Sequence, residues 1–319
     1  MNKIINFHDV KNRTWLENTL NILKSRFKLV SINDIEDYFY NGKILKDCCH
    51  LTIDDGDITF YNIIYPVLKK MNISATLFVS PKICSELSNF WFQEIRRFDQ
   101  NKLKKIILEE YKIDLNLFKG YSNIVFLKNM KIIQIWELIG KYNSLYNLPA
   151  IENQNMSIEQ LRKIDRDGLV TIGAHTMNHP ILANESGETS NQEILDSIRE
   201  LENILEHEVK YFAYPNGTPN LDFAVREIEI LKNTNCNLAF SAEKKNFTLT
   251  DNPLSVPRYG LSTGSKFFIK AKILLGKNWD SIKNIISKDE VSLRIELKEK
   301  LNFSKSELRT PVGPDRFQR

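Results

Sequence analysis

HLTIDDGDITFYNIIYPVLKKMNISATLFVS, residues 50–80, holds a strand, a helix and a second strand in close succession. His50 to Ile53 is a short β-type run that stops at two carboxylates and a glycine. Ile63, Ile64, Val67, Leu68 and Met71 then recur at helical spacing and make one apolar face, and Ala75 to Val79 is β-type again. Outward from this unit the alternation continues. Lys3 to Phe7 and Lys28 to Ile32 are candidate strands before it, and Val170 to Ala174, Tyr211 to Tyr214, Asn237 to Ser241 and Ser255 to Arg258 follow. A second helical face is carried by Ile194, Leu195, Ile198, Leu201 and Leu205. Alternating strands and helices are the pattern of an α/β fold with a mainly parallel sheet, and the number of units points to a distorted (β/α) barrel.

Residues 85–156 interrupt the rhythm with a Lys- and aromatic-rich segment that includes FWFQEIRRF and IIQIWELIGKY. It is expected to be a helical insertion forming a cap or rim. The barrel is expected to span 1–265, followed over 266–319 by a helical extension with stretches near 265–275, 279–287 and 290–300. That extension carries 13 Lys or Arg against 7 Asp or Glu, a charge of +6, so the rest is −2 within a total of +4. A basic appendage suits a solvated helical face, or at most a peripheral contact with acidic lipid.

With 42% hydrophobic and 26% charged residues, the 319-residue chain has the composition of a globular protein. The first 25 residues lack the apolar run of a secretory signal, and no stretch reaches the roughly 18 apolar residues of a membrane-spanning helix. Four cysteines are too few for a disulfide framework and suit reduced thiols. Together these features predict a cytoplasmic protein, with the inner face of the membrane as its other expected location. The basic residues are not interleaved with aromatic stacking positions, which argues against nucleic acid.

In a (β/α) barrel the chemistry lies at the C-terminal ends of the strands. One such end is Asp54-Asp55-Gly56. A second is His175-Thr-Met-Asn-His179, which holds two of the five histidines in the chain. On a helical turn residues four apart face the same way, so both imidazoles can reach one metal ion. Two histidines and one carboxylate leave coordination positions open, as in a catalytic rather than a structural site. Cys48, Cys49 and His50 do not form such a cluster, because adjacent strand residues point to opposite faces. His207, near a helix end, is expected to be a capping partner.

LTIDDGDITFYNIIYPVLKKMNISATLFVS, SIEQLRKIDRDGLVTIGAHTMNHPIL and YFAYPNG, in this order, resemble the polysaccharide deacetylase family, the NodB-homology carbohydrate esterases. The resemblance implies that Asp54 is the general base and that Asp55, His175 and His179 hold a divalent ion. Zinc is the first expectation for that ion, with cobalt, nickel and manganese as alternatives. It further implies that the backbone N–H of Tyr214 stabilises the oxyanion and that Tyr214, Pro215 and Asn216 meet the substrate. The C-terminal Leu-x-His motif of many members is missing. Asn6-Phe-His-Asp-Val10 instead resembles the N-terminal segment of the branch that includes poly-N-acetylglucosamine deacetylases, which makes His8 the expected general acid. The arginine that other members place just before FAYP is Lys210 here, whereas Arg258 resembles the arginine used in the same branch. A guanidinium there could hold Asp54 ionised by a bidentate contact that lysine cannot copy.

The expected activity is metal-dependent hydrolysis of an N-acetyl or other N-acyl group on an amino sugar. The sugar is expected in a saccharide, a lipid-linked saccharide or a sugar nucleotide, in surface polysaccharide biosynthesis. Two alternatives stand beside it, a non-catalytic saccharide-binding protein on the same barrel and a deformylase of an N-formyl sugar.

Overall fold

The computed structural model describes residues 1–113, 118–275 and 289–300. The first half runs β1 (Lys3–Phe7), α1 (Arg13–Lys24), β2 (Lys28–Leu29), α2 (Ile32–Tyr40), β3 (Cys48–Ile53), α3 (Tyr65–Met71, entered through a π turn) and β4 (Ala75–Val79). Helices α4 (Pro81–Glu86), α5 (Trp91–Ile95), α6 (Gln100–Tyr111), α7 (Asn123–Leu127) and α8 (Ile132–Tyr146) follow without a strand. Then come α9 (Ile158–Arg166), β5 (Val170–Ala174), α10 (Gly187–Leu205), β6 (Tyr211–Ala213), α11 (Val225–Lys232), β7 (Leu238–Phe240) and β8 (Tyr259–Gly260). The described chain ends with α12 (Lys266–Leu275) and α13 (Glu290–Lys300).

All the strand pairs are parallel, in the order β7-β6-β5-β4-β3-β1-β8, with β2 on the lower part of β3. One short segment links the two ends of this sheet. Val256 bridges to Phe240 of β7, while Tyr259 and Gly260 pair with Ile5 and Asn6 of β1. The ring is thus a distorted (β/α) barrel closed by a few residues. The predicted strand Ser255 to Arg258 is correspondingly broken up. Pro253–Ser255 is a 3-10 turn, Val256 makes a single bridge, and the regular pairing starts only at Tyr259. A segment crossing from one edge to the other cannot run along either, and Pro257 has no N–H for a ladder. The predicted strand Lys28 to Ile32 also shortens, because Ser31 caps α2 in a reciprocal box with Asp34.

Because both faces of the sheet are covered, the strands read as continuous apolar runs, yet alternation still sorts them. Ile4, Cys48, Phe78, Tyr211, Ala213, Leu238 and Phe240 belong to one buried cluster inside the barrel. Their neighbours Ile5, Cys49, Leu77 and Phe212 belong to the larger layer between strands and helices. The same parity points Asn6, Thr52 and Asp54 inward. His50 faces inward too, bonding the Val30 carbonyl and Thr76 Oγ1 at 2.9 Å each. All four cysteines are free and buried.

Residues between β4 and β5 build their own core around Trp91, Phe98, Phe118, Phe126 and Ile135. Helix α13 joins that core through Leu297. Its Arg294, 2% exposed, bonds Asp222 at 2.6 Å, and Lys128 pairs with Glu290 at 2.5 Å. This part of the basic extension is therefore seated on the molecule, not a solvated appendage. Counting charges could not show that Arg294 meets a buried carboxylate. The expected helix near 279–287 lies outside the described residues. No helix among the described residues is long and apolar enough to cross a membrane.

Candidate active site

Asp54 ends β3, and its N–H extends the ladder by donating to the Phe7 carbonyl at 3.0 Å. Its carboxylate is gripped by Arg258, Nη1 to Oδ1 at 2.8 Å and Nη2 to Oδ2 at 3.0 Å, while Asn6 Nδ2 donates to Oδ2 at 2.9 Å. Arg258 is itself fully positioned. Its Nε donates to the Ser241 carbonyl at 3.1 Å, Nη1 also reaches Thr52 Oγ1 at 3.2 Å, and the guanidinium lies against the rings of Phe78 and Phe240. Burial pushes the Asp54 carboxyl up. The Arg258 charge beside it outweighs this and holds the group well below the usual carboxylate range.

Asp55 follows with φ 76°, a left-handed conformation that sends its side chain away from that of Asp54. Gly56 continues the turn at φ 77°, where a Cβ would meet Val79 Cγ1 at 2.9 Å. The strand-like segment 154–156 holds this loop, with Met156 N–H on the Gly56 carbonyl at 3.0 Å and Ile58 N–H on the Gln154 carbonyl at 2.8 Å. Asp57 Oδ1 accepts the Thr59 N–H at 2.8 Å, so its charge is directed at the start of the following helical turn.

His175 stands just past β5. Its Nδ1 lies 2.7 Å from the Ala213 carbonyl, which can only accept, so the ring proton sits on Nδ1 and the Nε2 lone pair is free. That Nε2 is 3.6 Å from Asp55 Oδ1, and His179 Nε2 is 3.4 Å from the same oxygen. The histidines do not converge by the expected helical turn. Residues 175–179 form a loop in which Thr176 and His179 have φ of 62° and 55°. The His179 ring makes edge contacts with Phe90 and Phe92, and Trp91 Nε1 donates to the His179 carbonyl at 3.1 Å, so α5 walls this imidazole.

The donor set fits one divalent cation. Asp55, His175 and His179 are buried, with ligand atoms all within 4.8 Å of one another. Asp55 Oδ1 and His179 Nδ1 are buried and have no hydrogen-bond partner among the described residues. Burial pushes both histidines below their ordinary value, which keeps them neutral, as ligation requires.

A cavity of about 560 Å³ opens above this floor, lined by His8, Asp55 and His179, by Trp91 and Phe92 of α5, and by Asn216 among others. His8 has a side chain 53% exposed, with Nε2 4.0 Å from Asp54 Oδ2.

The YPNG turn differs from expectation. Tyr214 N–H donates to the Phe240 carbonyl at 3.1 Å, so it is not free for an oxyanion. The Tyr214 ring is buried, stacked on Phe223, with its hydroxyl on the Leu254 carbonyl at 2.9 Å. The β6–β7 ladder thus reaches Tyr214, the end of the strand read from the sequence, and takes up the N–H that the resemblance assigned to the oxyanion. Pro215 does not line the cavity, and its carbonyl closes the turn by accepting the Gly217 N–H at 2.6 Å. Asn216 does line it. Among the described residues its N–H donates to nothing, and its Nδ2 is buried without a partner.

Lys210 pairs on the surface with Glu208, and His207 bonds Asp165 rather than capping its helix. Asn6 and Thr52, which build the Asp54–Arg258 network, were not picked out from sequence. Their signal was parity, two residues before His8 and Asp54 on inward-facing strands.

A family model for polysaccharide deacetylases matches residues 126–235, about a third of the chain, which includes His175, His179 and the YPNG turn. No curated protein matches the chain. Several solved structures share its fold. A Streptococcus pyogenes deacetylase, PplD, in complex with acetate, superposes with a TM-score of 0.53 at 17% identity over 81% of this chain and 91% of its own. IcaB from Ammonifex degensii gives 0.55 at 19% identity, covering 82% and 93%. The BpsB deacetylase domain from Bordetella bronchiseptica gives 0.53 at 16% identity, covering 81% and 95%. The polysaccharide deacetylase model thus matches the part of the chain that carries His175, His179 and the YPNG turn, and the barrel as a whole has the fold of these solved structures over about four-fifths of this chain.

Proposed function

We propose that the protein hydrolyses the N-acetyl group of an amino sugar with the help of one divalent ion, zinc in the first instance. The observation that carries this is the convergence of Asp55, His175 and His179 beside an arginine-held Asp54, with Asp55 and His179 lining an open cavity. Asp55, His175 and His179 would hold the ion. When bound, it supplies Lewis acidity, polarising the scissile carbonyl and acidifying a water in the site.

The remaining work falls to side chains of the chain. Arg258 and Asn6 supply three N–H donors to Asp54, and a carboxylate has acceptor sites for about four. One site is thus left to take a proton from the attacking water. Oxygen adds to the acyl carbon, and the charge that builds on the acyl oxygen can be met by the N–H and the side-chain amide of Asn216. Breaking the C–N bond then requires a proton on the departing nitrogen. His8, at the open side of the same cavity and near Asp54, is the group to deliver it. The products are acetate and the free amine.

Trp91 and Phe92 give the cavity flat apolar faces suited to a pyranose ring. The sugar is proposed to be part of a saccharide, lipid-linked saccharide or sugar nucleotide in surface polysaccharide biosynthesis. The test is mass spectrometry of such a panel after incubation with the metal-supplemented protein. Loss of one acetyl from any member supports the reading, and an unchanged panel contradicts it.

A further inference from the structure

The turn that carries the two histidines is conformationally expensive. Thr176 is β-branched yet has φ 62°, and His179 follows at φ 55°, both in the left-handed region that non-glycine residues rarely adopt. Such a conformation persists only where surrounding groups over-determine it. Within the turn, Thr176 Oγ1 accepts the His179 N–H at 3.1 Å. The larger constraint comes from α10. Glu193 is buried, and its Oε2 accepts the N–H groups of both Met177 and Asn178 at 2.9 Å. Its Oε1 accepts Asn178 Nδ2 at 2.6 Å. One carboxylate therefore satisfies the two backbone donors at the centre of the loop between the ligands. Charge-assisted bonds of this kind are the strong ones, and a buried N–H left without a partner is costly.

We propose that Glu193 is a positioning residue for the metal-binding turn, holding His175 and His179 in register with Asp55 through the Met177 and Asn178 amides. The proposal rests on the reading of Asp55, His175 and His179 as metal ligands. It assigns Glu193 no contact with metal or substrate. Its effect is expected in metal affinity first and in turnover only as a consequence.

The test is Co²⁺ titration of the metal-free full-length protein, followed by the visible absorption of the bound ion, for wild type, Glu193→Gln and Glu193→Ala. Glutamine keeps the volume and one acceptor oxygen, but it loses the charge and turns an amide donor toward the loop. Both variants are expected to bind Co²⁺ about 10- to 100-fold more weakly, the usual effect of losing a group that orients ligands. An altered cobalt spectrum is expected with it. Thermal melts of the metal-free proteins separate this from a general loss of stability, which would lower the melting temperature and leave affinity and spectrum alone. If Glu193→Ala does not fold, Glu193→Gln decides. Wild-type affinity and spectrum in a folded Glu193→Gln protein would overturn the proposal, whereas failure of wild type to bind Co²⁺ would overturn the metal reading beneath it.

Discussion

Arg258 holds both carboxylate oxygens of Asp54, at 2.8 and 3.0 Å, inside the barrel and 204 positions away in sequence. The pair keeps Asp54 ionised against burial, which pushes its carboxyl up. Arg258→Lys is therefore expected to do more than weaken one contact. A single ammonium cannot match both oxygens or reach Thr52 and the Ser241 carbonyl as the guanidinium does. Breaking a buried pair costs about 3–5 kcal/mol when one partner is removed, and lysine should recover part of this. Chemical denaturation should show lower stability for Arg258→Lys and still lower for Arg258→Met. Acetate release should fall at least as much as in the His8 variant below.

Metal content should separate the two neighbouring aspartates. Asp55→Asn, His175→Ala and His179→Ala are each expected to lose most of the bound ion after metal supplementation and dialysis, because the three candidate ligand side chains converge on one point and each would supply a needed donor. Asp54→Asn should keep it, since Asp54 faces Arg258 and not the imidazoles. Equal metal content in all four variants, read by elemental analysis, would contradict this division.

His8→Ala should leave metal binding intact and lower turnover by about two to four orders of magnitude, the usual worth of a positioned acid. Unchanged turnover at matched metal content would place the acid elsewhere. The half-exposed position of His8 makes a large stability effect unexpected, so a thermal melt close to wild type is part of the outcome.

His50 offers a test of the barrel interior that is independent of catalysis. Burial pushes its imidazole down to about 4 from an ordinary 6.5, and it bonds Val30 and Thr76 as the neutral ring. The folded state thus resists protonation that the unfolded chain accepts. The corresponding stability is fully present above pH 6.5 and is lost as pH falls from 6.5 toward 4, by roughly 3 kcal/mol at most. Urea unfolding at a series of pH values should show this decline in wild type. His50→Gln should be less stable at neutral pH but fall less steeply, and equal slopes would contradict the assignment.

Much of the barrel was legible because strand parity and helical spacing are local. Lys3–Phe7, Ala75–Val79 and Val170–Ala174 have the boundaries their apolar runs predict. The failures have physical causes. Ser31 and Asp34 form a capping box that ended β2 early, a signal present in the sequence but outweighed by the apolar residues Leu29, Val30 and Ile32 around it. The closing segment near Arg258 serves two sheet edges at once, which periodicity does not encode. At the site, the residue types Asp55, His175 and His179 were visible as chemistry at strand ends. Their convergence depends on left-handed loop residues, and propensity predicts these poorly when they are Thr and His. Tyr214 was assigned a free N–H by the family resemblance, although it ends the predicted strand, where the N–H pairs with the Phe240 carbonyl. The Glu193 contact with residues 177 and 178 joins a helix to a loop through one side chain, and no spacing rule marks it.

The central claim is that the Asp55, His175 and His179 centre, with Asp54 beside it, cleaves an N-acetyl group by hydrolysis. The most direct measurement is acetate release from an N-acetylated amino-sugar substrate by wild type and Asp54→Asn at matched metal content. Wild type is expected to release acetate and the free amine in equal amounts, and Asp54→Asn to be slower by about two to four orders of magnitude. Equal rates in the two proteins, or no acetate from metal-loaded wild type across saccharide, lipid-linked and nucleotide-linked substrates, would contradict the account.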